Sequence, residues 1–270
     1  MHWVYSFPVT IHKILAFMDD FNKSKDHINC LNGVIDLRTG EVEPHHAGQL
    51  YTQCINYKYD INADATEWLN FLYSVGFSDV MIDYLQLALG YTLTGHTREE
   101  VMFYLYGQRR TGKGTLTSTI EKLMGGLASS VDMDSFTSKR SGDTQKFDLA
   151  PLWDKRYITS SETDRRGALN SAVIKRITGG DGVYCAFKGK DHFSYIPMYK
   201  IWLSSNFPAS TDVEDDAAWG RLRVIEFKNS HFGKEDKGLK ERLQSKESME
   251  GILSWIVIGA MRWYQLDTVG

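Results

Sequence analysis

Nine residues, Gly107 to Thr115, read G-Q-R-R-T-G-K-G-T, and their chemistry is that of a polyphosphate cradle. Gly107, Gly112 and Gly114 let backbone N–H groups turn inward on an anion, Arg110 and Thr111 fill the loop between them, and Lys113 brings a mobile cation to β- and γ-phosphates. The G-x-x-x-x-G-K pattern is complete. Gly114, however, stands where Ser or Thr usually holds Mg2+, so the metal-side hydroxyl is assigned to Thr115, one position later.

A nucleoside triphosphatase also needs an acid that orients water and helps hold the metal. Glu162 closes the run Arg156-Tyr157-Ile158-Thr159-Ser160-Ser161 and is assigned that role, with Asp164 in reserve; a solvated carboxylate at a strand end is the alternative. Asn206 ends a second apolar run, Tyr199 to Ser205, which Phe207-Pro208 stops sharply. Its amide donates and accepts, which suits a γ-phosphate sensor, although Asn before a turn is common. In Trp219 to Phe227, Arg221 is placed to stabilise charge on a transferring phosphoryl group across a subunit boundary, with Arg223 as the alternate. An ion pair of Arg221 with Asp215 or Asp216 is the plainer reading. Val183 to Tyr195 alternates around Gly189 as a β-hairpin with a basic tip. Lys188 and Lys190 there would meet nucleic-acid phosphates, with His192 or Phe187 beside them, or would merely keep the tip soluble.

The elements that must position these groups follow from periodicity. Val101 to Tyr106 is a strand, and Leu116, Ile120, Leu123 and Met124 recur at helical spacing behind the loop. Short apolar runs at Arg156–Ser160, Tyr199–Ser205 and Arg223–Phe227 alternate with polar helices, which predicts an α/β fold with a mostly parallel sheet covered on both faces. Upstream, Val34–Leu37 and Glu41–Glu43 form a hairpin around Gly40, and helices carry Trp68, Phe71, Leu72 and Val75, then Tyr84 to Leu89. The segment Gly90 to Gly95 marks the boundary before the nucleotide-binding core. This predicts a hairpin plus helical domain over 1–97, the core over 98–230 and C-terminal helices over 231–270. Gly251 to Met261 is too short an apolar stretch to span a bilayer and reads as a packed helix with Trp255, Ile258 and Met261 as core contacts. Thr211 to Asp216 reads as an acidic loop.

With 270 residues and 42% hydrophobic content the chain suffices for one large core. Lys and Arg number 31 against 34 Asp and Glu, a net charge of -3, so any nucleic-acid contact is local. Cys30, Cys54 and Cys185 lie far apart and form no C-x-x-C pair, which argues against a disulfide framework or zinc ribbon and fits a reducing cytoplasm. Cys30, His45, His46 and Cys54 match no common metal site. Met1 to Asp20 lacks the basic leader of a signal peptide.

Taken in order, G-Q-R-R-T-G-K-G-T, T-S-S-E-T-D, L-N-S-A-V-I-K-R-I-T-G-G-D, W-L-S-S-N-F-P and W-G-R-L-R-V-I-E-F resemble the superfamily 3 helicases of the phage and plasmid primase-helicase family, related to the poxvirus primase-helicase. N-G-V-I-D-L-R-T-G-E-V and L-G-Y-T-L-T-G resemble the helical domain ahead of that family's ATPase, so the likeness runs from about Ile28 onward. The resemblance implies an AAA+ core that uses ATP and Mg2+ in DNA replication, a ring (commonly a hexamer) around single-stranded DNA, and active sites shared between neighbours. It assigns Lys113 and Thr115 to the phosphate loop, Glu162 to the acid, Asn206 to the sensor, Arg221 to the finger and Lys188 with Lys190 to a DNA-facing hairpin, with Lys175 between acid and sensor. Gly220 stands where many relatives carry a second Arg. A primase or polymerase of the same element is an implied partner, and a missing primase or winged-helix domain would make this a fragment or a reduced form. Two alternatives stay open: a small-molecule kinase, since G-K-G-T occurs in nucleoside monophosphate kinases, and a module that binds nucleotide only to assemble.

Overall fold

The computed structural model describes residues 20–132, 149–161, 169–187, 192–211, 215–234 and 236–267. Among the described residues the first strands are three short antiparallel ones, β1 (His27–Cys30), β2 (Gly33–Asp36) and β3 (Val42–Glu43). The expected hairpin is β2–β3; β1 extends it by one strand. Two helices follow, α1 (Thr66–Ser74) and α2 (Asp79–Leu93), the second started by the Ser78 hydroxyl, which accepts from the Met81 N–H.

The strand β4 (Met102–Tyr106) then leads through the phosphate loop into α3 (Lys113–Met124) and the short β5 (Ala128–Ser130). Next come β6 (Tyr157–Ser161), α4 (Ser171–Thr178), the antiparallel pair β7 (Val183–Ala186) and β8 (His192–Tyr195), then β9 (Lys200–Ser205), α5 (Asp216–Trp219) and β10 (Leu222–Glu226). The chain closes with α6 (Leu239–Leu243) and α7 (Lys246–Asp267). The central sheet has the order β10-β4-β9-β6-β5, and all its pairings are parallel.

Alternation along β4 sends Phe103 and Leu105 to one face and Met102 and Tyr104 to the other, and all four are buried because both faces are covered. On the first face α1, α2, α3 and α7 share one apolar core with the sheet, and Trp202 of β9 stacks on Phe103 with ring centroids 4.3 Å apart. On the second face lie Val173, Ile174 and Ile177 of α4 together with Val183 and Cys185 of β7.

The expected boundary at Gly90–Gly95 is helical as far as Leu93, and Gly90 is packed against α7. A Cβ on Gly90 would come within 2.2 Å of the α7 backbone, so this helix pair crosses where only glycine fits. Of the expected core contacts of α7, Trp255 is buried and Met261 is half-buried and packed against the core, whereas Ile258 is half-buried and does not join it; Ile252, Leu253, Ile256, Val257, Ala260 and Trp263 fill the core. The helix starts five residues before and ends six residues after the stretch read from the sequence. Among the described residues no helix is long and apolar enough to cross a membrane. His45 caps the Cys30 carbonyl at 3.0 Å, and no group of three metal-binding side chains occurs among the described residues.

Candidate nucleotide site

In parallel strands the carboxyl ends lie together, and here Tyr106 pairs with Ser205 and Ser161 with Ser204. Into that edge opens a cleft of about 520 Å3 bordered by the phosphate loop, Ser161, Ser204, Ser205, Asn206, Ser118 and Lys240. Backbone geometry explains the glycines of the loop. Gly112 has φ +97° as the residue that opens α3, and a Cβ on Gly107 would meet the Phe227 carbonyl oxygen at 2.5 Å. Among the described residues no side chain caps the first turn of α3, which leaves its N–H groups and the positive end of its dipole at the cleft.

Lys113 is buried, and its ammonium donates to the carbonyls of Gly107 at 2.5 Å and Gln108 at 2.8 Å. It also lies 3.3 Å from Asn206 Oδ1, across a separation of 93 residues. Burial lowers its pKa to about 8. Lys113 and Asn206, assigned separately from two segments, therefore share one site. Thr111 donates its hydroxyl to Gln108 O at 2.9 Å and holds the loop closed. Arg110 takes the left-handed conformation at φ +62°, and its carbonyl accepts from His231 N at 2.9 Å. Gly114 faces open space, and Thr115 borders the cleft together with a second one beside α1.

Glu162 and Asp164 lie outside the described residues; Ser161, which precedes Glu162, ends β6 on the cleft. Arg221 is elsewhere. It lies at the opposite edge of the sheet, where its guanidinium pairs with Glu100 at 2.6 Å and donates to Thr178 Oγ1 at 2.8 Å and Lys175 O at 3.1 Å. The plainer pairing with Asp215 is not formed, because Lys175 occupies that carboxylate at 2.6 Å and holds it below the usual range. Arg223 donates to Gly220 O at 2.6 Å.

The hairpin β7–β8 carries His192 and exposed aromatic rings. Tyr184 lies flat on His192 with ring planes 6° apart, and Phe187 stacks on Phe193 at 5.5 Å. Lys188 and Lys190 lie outside the described residues. Sequence reasoning missed Arg109, Ser118, Ser204, Ser205 and Lys240 as cleft residues. Ser118, one turn beyond Gly114 on the same face of α3, was legible from helical spacing; Lys240 carried no signal.

An α/β fold with a phosphate loop at the carboxyl edge of a parallel sheet defines the class of site. Comparison with known proteins narrows it. A family of unknown function, DUF5906, matches residues 105–221, and a family described as D5 N terminal like matches residues 10–75. The chain is 29% identical to "Putative helicase L207/L206" of Acanthamoeba polyphaga mimivirus over 79% of its length and 23% of that protein's. It is 25% identical to "Putative helicase 184R" of Invertebrate iridescent virus 6 over 84% of its length and 25% of the relative's. It thus spans about a quarter of the curated relatives it matches. Among solved structures, the A form apo structure of the NrS-1 C-terminal region superposes with TM-score 0.60 at 16% identity, covering 75% of this chain and 47% of that one. That likeness concerns the fold.

Proposed function

We propose that this chain is the ATP-hydrolysing motor of a replication helicase of the superfamily 3, primase-helicase type from a mobile element, acting as a ring on single-stranded DNA. The observation that carries the reading is the meeting of Lys113 with Asn206 at the mouth of a cleft formed by the phosphate loop. The names of the viral relatives and the match to a D5 N-terminal-like family support the helicase part.

The residues present fit a nucleoside triphosphate. The uncapped α3 N-terminus and the loop N–H groups would receive the β-phosphate, and Lys113 would leave the loop carbonyls for the β- and γ-oxygens. A phosphate oxygen is a better partner for a desolvated ammonium than a carbonyl, so the exchange is favourable. Asn206 then stands beside the γ-phosphate, where its amide orients water, and Glu162 is the base that accepts the proton. Mg2+, held by Thr115 and Glu162, would neutralise charge on the phosphates. Arg221 would act on the neighbouring subunit's nucleotide. Tyr184, Phe187 and His192 offer stacking surface and Lys188 with Lys190 offer cations, the combination that single strands require.

The test is ATP turnover by the purified chain with and without single-stranded DNA. The expected result is hydrolysis that DNA stimulates and that Glu162→Gln removes while nucleotide still binds. Turnover indifferent to DNA, with phosphate passed to a small acceptor, would instead support a kinase; binding without turnover would support an assembly module.

A further inference from the structure

The cleft that holds Lys113 takes nearly all its lining from three connected places: the phosphate loop, the first turns of α3 and the carboxyl ends of β6 and β9. Lys240 comes from elsewhere. It sits on α6, which packs beside α1 and α3 and not in the sheet, so its distance from Lys113 and Asn206 depends on how α6 is held. The Lys240 side chain is exposed, and its ammonium forms no hydrogen bond or ion pair among the described residues. Arg109 and Arg110 border the same cleft, and no carboxylate does among the described residues.

A long side chain gives up rotamer freedom when it is fixed, so a free ammonium on the rim of a cationic cleft is ordered only when a multiply charged anion enters. Arg242 follows Lys240 by two residues, about 200° around the helix axis, and so leaves α6 on the opposite side. There its Nε donates to Glu67 of α1 at 2.8 Å and its Nη2 to Asp236 at 2.6 Å. Leu243, the next residue, is buried in the core that α1 shares. One short helix thus carries a free cation over the cleft, a guanidinium bound to α1 and an anchored end about which it can turn. We infer that α6 is a lever that reports the phosphate content of the site to α1. Lys240 closes on the terminal phosphate of a triphosphate, and Arg242 carries the displacement to Glu67; a diphosphate lacks that phosphate and leaves the lever open.

This rests on the nucleotide-site reading, and the experiment separates the two. Binding of ADP and of a non-hydrolysable ATP analogue is measured by calorimetry, and amide hydrogen exchange is followed in α1, for the unaltered chain, Lys240→Ala, Lys240→Arg and Glu67→Gln. Lys240 is exposed and Glu67 half-buried at the surface, so these replacements leave the core intact. In the unaltered chain, exchange in α1 should differ between the two ligands. Lys240→Ala should weaken the analogue about tenfold, the effect of one lost charged contact, leave ADP affinity the same and erase the exchange difference. Lys240→Arg should retain both. Glu67→Gln should still prefer the analogue over ADP yet lose the exchange difference, which a merely structural role for the Arg242–Glu67 pair would not produce. Equal effects of Lys240→Ala on both ligands, no effect on either, or an exchange difference that survives Glu67→Gln would overturn the lever alone. An unaltered chain that binds neither ligand would overturn the nucleotide-site reading and this inference with it.

Discussion

Lys113 and Lys200 are both buried, both donate to backbone carbonyls, and sit at opposite edges of the same sheet. Lys113 opens on a cleft of about 520 Å3 and shares its ammonium among loop carbonyls and Asn206. Lys200 starts β9 at the amino edge, donates to Thr94 O at 2.6 Å and lies 4.4 Å from the Tyr91 ring centroid. The void beside it is about 10 Å3, too little for a ligand. Near it, Arg156 donates to Ser24 O while its Nε and Nη1 meet no partner among the described residues, and burial lowers its pKa to about 10. Burial of a cation is thus shared by both edges; access to solvent is what separates a group able to exchange partners from one locked into the frame.

The largest effect should come from exchanging the consequences of losing each lysine. Lys113→Ala should cut ATP hydrolysis by more than about a hundredfold, as expected when a group that stabilises developing charge is removed, with little change in unfolding free energy. Lys200→Ala should lower stability by about 2–4 kcal/mol by leaving a cavity and an unpaired Thr94 carbonyl, with hydrolysis per folded molecule unchanged. Urea unfolding and turnover on the same samples read both, and equal losses of stability would break the contrast.

The next effect concerns protons. Burial holds Lys113 at about 8, and phosphate oxygens favour its charged form, so nucleotide binding should raise that pKa and take up protons. Affinity should therefore be flat below about pH 7 and fall as pH rises through 8, by up to tenfold per unit. Calorimetry at pH 8 in buffers of different ionisation enthalpy should report uptake, and Lys113→Met should abolish it.

The smallest effect on stability belongs to Arg221. Its pair with half-exposed Glu100 contributes no more than about 1 kcal/mol, so Arg221→Ala should fold. Mixed with Lys113→Ala chains, it should regain hydrolysis at interfaces where an intact Lys113 meets an intact Arg221. No recovery in rings shown to contain both chains would place Arg221 within its own subunit, where Glu100 and Thr178 hold it.

The strand ends were legible because apolar runs stop where the buried sheet stops. Ser161, Ser205 and Glu226 end their strands within a residue of the expected positions. The meeting of Lys113 with Asn206 was not readable in this sense, nor was the pairing of Arg221 with Glu100. Each joins segments about a hundred residues apart, and no local period records which polar groups converge.

What the sequence alone determined is the set of faces and the loop chemistry. Glycines where positive φ or close approach demands them, a lysine between them, and apolar runs of strand length specify a glycine-rich loop at the carboxyl edge of a parallel sheet. Tertiary structure alone decided that Lys200 and Arg156 are buried at the sealed edge, that Gly90 meets α7, and that His231 returns to the loop beside α1. Those outcomes depend on how helices distant in the chain cover the two faces of the sheet, which spacing within any one element cannot encode.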